Sequence, residues 1–316
     1  MKSLLSIIIS ALPLLCCCSN EEIEELIPPF SLPEKSIVLA EQATKSILIF
    51  DAEAKKTVWT WNTSKSDVPP ERLTWFSNPS EVKSVYNNRY ILMTASGGAV
   101  ALLRIADSKL MYYAYAGQNP HSAELLPDGN IVAVSSDEGK LSTFITDTIS
   151  GFGEAHASYN LPSAHNVVWD KSRSRLFATE GNYIYSFEYN SKRLDPLLLN
   201  KVKVLDIPAT ETCGHDLFPV YSEKDMLWLT TNENVWKYNI ATNQLTKVYS
   251  LEAVKSVCNS PNGVLMLYPT VSWWSDGLIN EVGKKQFSIY GAKIYKGRWM
   301  IDNTFSYPEK HDLKLE

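Results

Sequence analysis

Five short apolar runs, each opened by a basic residue, recur along this chain at a spacing few folds can satisfy. They begin at Lys83, His121, His165, His215 and Lys255, which stand 38, 44, 50 and 40 residues apart. Each run is followed by a turn and by further runs with period-two alternation, the pattern of half-buried strands. A unit of roughly 40–50 residues holding four short strands reads as a propeller blade. On this reading the basic residues open the innermost strand of successive blades. They form a ring around one end of a central channel.

The repeat leaves an N-terminal unit with only three strand-like runs, at 36–41, 46–51 and 57–61. A closed propeller leaves no unpaired inner edge. The run at 293–301 can supply the missing inner strand and with it a sixth basic position, Lys293, Lys296 or Arg298. The expected fold is therefore all-β: a six-bladed β-propeller with blade 1 closed by a C-terminal strand. A seven-bladed alternative would need a degenerate blade inside 271–286, which is short for four strands. The expected division is a signal segment at 1–18, a tether at 19–34, the propeller at 35–302 and a polar tail at 303–316.

The ends of the chain carry their own message. Lys2 precedes an apolar run, Leu4 to Leu15, that is too short to anchor stably across a bilayer. It ends in Cys16-Cys17-Cys18, resembling a bacterial lipoprotein signal whose lipidated Cys becomes the new N-terminus. Cys18 fits best, followed by the acidic Glu21-Glu22 that resembles a surface-export signal. This implies an outer-membrane lipoprotein at the cell surface or in the periplasm, held to the membrane by its lipid alone. An acidic, Pro-containing stretch follows as the tether. The formal net charge of −5 argues against a nucleic-acid surface. The protein is expected to be a monomer. Cys213 and Cys258, the remaining cysteines, sit at unlike offsets from their basic residues, so two free thiols are expected rather than a disulfide.

Loops from an outer strand to the next inner strand share one face of a propeller with loops between second and third strands. The ring residues, the pair Trp273-Trp274 and the loop containing Arg72 and Trp75 are thus expected at one mouth. Three imidazoles from adjacent blades suit a divalent metal, on His121, His165 and His215, or a general acid or base. Lysines repel a cation. With Lys83, Lys255, Lys296 and Arg298 nearby, and Asp216 and Asp276 the carboxylates in view, the set suits an anion better. A carboxylated or sulfated sugar is the natural candidate, its ring stacked on Trp273 or Trp274 and its acid group held by the cations and Arg72. Against this stands a structural reading: Gly214-His215 looks like the Gly-His pair that ties loops together in WD-type propellers. Phosphate-binding loops, nucleophile elbows and paired Cys-x-x-Cys motifs are absent from the sequence.

Several motifs together resemble an uncharacterised bacterial family of exported six-bladed propellers. They are Trp75-Phe76-Ser77-Asn78-Pro79, the stretch from Asn119-Pro120-His121 to Asp128-Gly129-Asn130, Gly214-His215-Asp216-Leu217-Phe218-Pro219-Val220, Ser272-Trp273-Trp274-Ser275-Asp276 and Tyr295-Lys296-Gly297-Arg298-Trp299. The resemblance spans nearly the whole mature chain and implies fold and export, but no activity. A weaker, fold-level analogy is to oligogalacturonate lyases and related propeller lyases, which gather His residues on a metal in the mouth. Three functions follow as expectations. The first is a lipoprotein that binds an anionic glycan at the mouth. The second is a lyase or glycoside hydrolase using the same His set. The third is a protein-interaction scaffold with a structural His set.

Overall fold

In a computed structural model, which describes residues 30–212 and 214–307, the chain folds as an all-β propeller with almost no helix. Signal segment, lipidation site Cys18, most of the tether, Cys213 and residues 308–316 lie outside the described residues. The short 3-10 turns Thr63–Lys65 and Pro70–Phe76 are the only helical elements among the described residues.

Five sheets have the four antiparallel strands of a blade. Their inner strands, in order around the axis, are Ile294–Trp299, Pro79–Val85, Pro120–Leu125, Ala164–Asp170 and Asp216–Pro219. The second blade carries a fifth, two-residue strand, Phe152–Gly153, parallel to its outer edge. The first blade is closed from the far end of the chain: Ile294–Trp299 pairs antiparallel with Ser36–Glu41, Leu39 facing Gly297.

The expectation of six blades is corrected to five. The sixth sheet is a ribbon of two strands, Ser256–Ser260 and Gly263–Leu267. Beyond it the chain makes only isolated bridges, among them Met266 to Ile279 and Ser275 to Ile294. The reason is visible in the sequence. Residues 268–293 lack period-two alternation and are broken by Pro269, Gly277, Gly283 and Gly291. The same stretch holds no seventh blade.

Elsewhere local chemistry and fold agree. Inner strands are buried on both faces, while the outer strand Leu198–Asp206 is exposed along most of its length. The hairpin at Pro127-Asp128-Gly129-Asn130 turns on Gly129 at φ 83°, a conformation glycine adopts without penalty. Apolar side chains from facing blades interlock between them. Val38, Ile49 and Trp61 of the first blade meet Val82, Met93 and Ala101 of the second, all essentially inaccessible. Each such side chain is worth roughly 1.5–3 kcal/mol of burial, so contacts between blades, and not strand pairing alone, hold the disc together.

Candidate functional site

The inner strands all run in one direction, so their first residues gather at one end of the axis. Four of them break register near that end: between Pro79 and Glu81, Pro120 and Ser122, Ala164 and Val167, and Ile294 and Lys296. A bulge re-aims the side chain beside it. Here the result is a cluster of rings. His121 and His165 stack with centroids 4.8 Å apart and planes 11° from parallel. His165 and His215 meet edge to face at 5.6 Å. Lys255 Nζ donates to His215 Nε2 at 2.8 Å, and the Tyr295 hydroxyl lies 3.3 Å from His121 Nδ1. His165 Nδ1 faces the Ser163 carbonyl at 2.9 Å, which places its proton on that nitrogen.

The structure therefore brings His121, His165, His215 and Lys255 together, and adds Tyr295, which sequence reading missed. All three imidazoles are driven towards the neutral form. Burial is the largest cause for each. His121 is held well below the usual histidine range, with His165, Lys296 and Lys255 adding to the effect of burial. His165 is lowered by burial and then by Lys296 and Lys255. His215 is pushed down to about 2 by burial, then by Lys255. Burial, with the neighbouring lysines adding to it, thus favours the neutral form of all three rings.

That arrangement does not fit a metal ion. The His121 and His165 rings lie in nearly parallel planes 4.8 Å apart, so their nitrogens do not converge on one centre. Among the described residues no group of three His, Cys, Asp or Glu side chains is placed to hold a metal. Of the two options the sequence left open for His121, His165 and His215, the geometry disfavours the divalent metal.

Directly below lies a layer of six charges. Arg298 makes a fork to Glu81, with Nη2 at 2.9 and 3.1 Å from its two oxygens, and a second fork to Asp216 at 2.6 and 3.0 Å. Lys296 Nζ lies 3.1 Å from Glu81 and 3.5 Å from Asp216. Lys83 reaches Glu124 at 3.2 Å and the Val167 carbonyl at 2.8 Å. Tyr307, from the C-terminal segment, donates its hydroxyl to Glu124. Three cations thus meet three carboxylates, all buried. Burial would raise the Glu81 carboxyl, but Arg298, Lys296 and Lys83 outweigh it and hold it down at about 2. This layer plugs the channel. It corrects the expectation that Lys83, Lys296, Arg298 and Asp216 meet a ligand: they neutralise one another beneath it. Sequence reading missed Glu81 and Glu124; Glu81 stands two residues from Lys83 on one strand and so shares its face.

The remaining candidates divide. Trp273 lies at the mouth end, 53% exposed, its Nε1 donating to Gln42 at 3.0 Å. Trp274 is half-buried with Lys293 Nζ 5.4 Å from its ring. Asp276 is engaged by Lys285 and Ser288. Arg72 is withdrawn from the mouth: its guanidinium sits 3.9 Å over Phe152, beside Trp75, and donates to the Tyr113 hydroxyl at 3.0 Å. Cys258 is a buried free thiol, pushed up to about 12 by burial.

Comparison with known proteins finds a family match and the same fold in solved structures. The sequence profile of a family of unknown function, DUF6528, matches residues 1–316. A protein of unknown function from Bacteroides caccae superposes with a TM-score of 0.55 at 13% identity, covering 84% of this chain and 98% of that one. A putative 6-phosphogluconolactonase from Bacteroides uniformis gives 0.55 at 12% identity, covering 85% and 100%. At such identities the likeness is one of fold. No curated protein matches the sequence.

Proposed function

The chain belongs to this family of unknown function, DUF6528, and we propose that it binds the acid group of an anionic carbohydrate at the mouth formed by His121, His165, His215 and Lys255. The observation that carries the reading is geometric: the rings of His121, His165 and His215 meet at one end of the channel, with Lys255 Nζ 2.8 Å from His215 Nε2. An entering carboxylate or sulfate lets an imidazole take up a proton, so ligand and proton bind together. The exposed face of Trp273 at the same end supplies a stacking surface for the sugar. Binding without turnover is favoured over catalysis. A general base works best with a pKa near the operating pH, and His215 is far below it. Presentation of this mouth on an outer-membrane lipoprotein, anchored through Cys18, completes the proposal; its support is the sequence of the N-terminal segment.

Calorimetric titration with galacturonate oligomers and sulfated disaccharides tests it. The parent protein should bind at least one charged sugar, and Lys255→Ala and His165→Ala should each weaken that binding about tenfold, the effect of losing one charge-assisted hydrogen bond. Unchanged affinity in both variants, for every charged sugar the parent binds, would sink the reading.

A further inference from the structure

The six-charge layer separates the His mouth from the opposite end of the axis, where a second cavity lies. Where the inner strands end, a cavity of about 450 Å³ opens between Pro219–Tyr221, Asp170–Ser172, Trp299 and the segment that leaves the closing strand, Ile301–Phe305. Its volume falls within the roughly 300–1,000 Å³ usual for small-molecule sites.

The chemistry of its lining is unlike that of the mouth. The charges there are largely committed to the protein. Arg298 is held by Glu81 and Asp216. Asp170 is held by Arg173. Glu223 is paired with Lys237, and Lys171 Nζ donates to the Tyr307 carbonyl at 2.7 Å. Lys224 and Asp302 also line the cavity, and the rest of the lining is aromatic surface and neutral polar groups. Phe218 is half-buried, with the Arg298 guanidinium 3.9 Å from its centroid. Tyr221 is 37% exposed, and Phe305 is half-buried. The hydroxyls of Ser222 and Thr304 line the cavity too. So does Asn303, whose Oδ1 accepts from Ser306 N, leaving its amide nitrogen to face a guest. Aromatic faces beside uncharged donors and acceptors match a pyranose, which offers C–H faces for stacking and hydroxyls around its edge.

The geometry points to a second ligand site in this cavity, which takes a neutral saccharide and is separate from the charged mouth. Tyr221 stacks on the sugar ring, and Asn303 and Thr304 bond its hydroxyls. The segment Ile301–Phe305 forms one wall, anchored below by Tyr307.

Saturation-transfer NMR on the full chain with neutral methyl pyranosides of gluco, galacto, manno and N-acetylgluco configuration tests the site. At least one should bind saturably. Tyr221→Ala and Asn303→Ala should each weaken it about fivefold or more, Tyr221→Phe should keep it within about twofold, and Lys255→Ala should leave it unchanged. Thermal melts of each variant confirm that the fold is retained. Absence of saturable binding by every pyranoside at tens of millimolar overturns the proposal. So does binding that survives both alanine variants, or binding lost in Lys255→Ala, which would place the sugar at the other mouth. Failure here leaves the anion site standing, because that site is read with charged sugars and a different variant.

Discussion

At the scale of single residues, the molecule turns on where charge is neutralised. Glu81 sits between two cations and is held at about 2, below the 4.5 of an unfolded carboxyl. Its contribution to stability is therefore complete above pH 4.5 and is lost as pH falls from there towards 2. Glu81→Gln leaves Arg298 and Lys296 buried with too little negative charge, which costs about 3–5 kcal/mol. Urea unfolding at pH 7 should show that loss, and the variant should also have a flatter stability profile between pH 4.5 and 2. The histidines act in the same direction, being neutral in the fold and protonated when unfolded below about 6.5. At the mouth the linkage with ligand has the opposite sense. An anion raises the imidazole pKa, so binding takes up protons. Affinity for a charged sugar should rise as pH drops from 7.5 to 5.5 while the protein stays folded, and His165→Ala should reduce that slope. A pH-independent affinity in the parent would contradict the proposed coupling.

Among elements, the C-terminal segment does more than its polar composition suggests. After the closing strand the chain crosses beneath the channel, and Tyr307 enters it, stacking on Tyr86 at 5.7 Å and reaching Glu124. The same segment walls the lower cavity. Tyr307→Ala removes a buried aromatic ring and should cost about 3–5 kcal/mol. Tyr307→Phe removes only the hydroxyl partner of Glu124 and should cost about 1–3 kcal/mol. Chemical denaturation of the two variants measures the difference; equal, negligible losses would show that the segment is not docked as described.

For the whole molecule, the asymmetry of the ring matters most. Five sheets have complete ladders, and the remaining sector is a two-stranded ribbon backed by irregular chain. Local opening follows the number of ladder hydrogen bonds and buried contacts a region loses. In hydrogen exchange, residues 268–293 should exchange first among the described parts of the disc, well before the inner strands. Uniform protection around the ring would mean that the ribbon sector is as tightly bound as a blade.

Much of this was legible before any coordinates. Strand runs and turns are local properties: period-two alternation, β-branched residues and turn signals such as Asp128-Gly129 place them without reference to the rest of the chain. The basic residues at strand starts likewise pointed to one mouth, and His121, His165, His215 and Lys255 do meet there. The number of blades was not legible, because four strands were assumed wherever the period allowed, and the 268–293 stretch is settled by what it packs against. Nor was the division of the cations. Whether Lys83 or Lys255 faces a ligand depends on whether a carboxylate from another blade arrives at the same height, and Glu124 lies 41 residues from Lys83. Sequence by itself determined the strands, the period and the polarity of the mouth, because those depend on neighbours along the chain. Tertiary structure alone decided the five-bladed ring, the neutral layer within it and the cavity beneath, because each depends on side chains that become neighbours only when the ring closes.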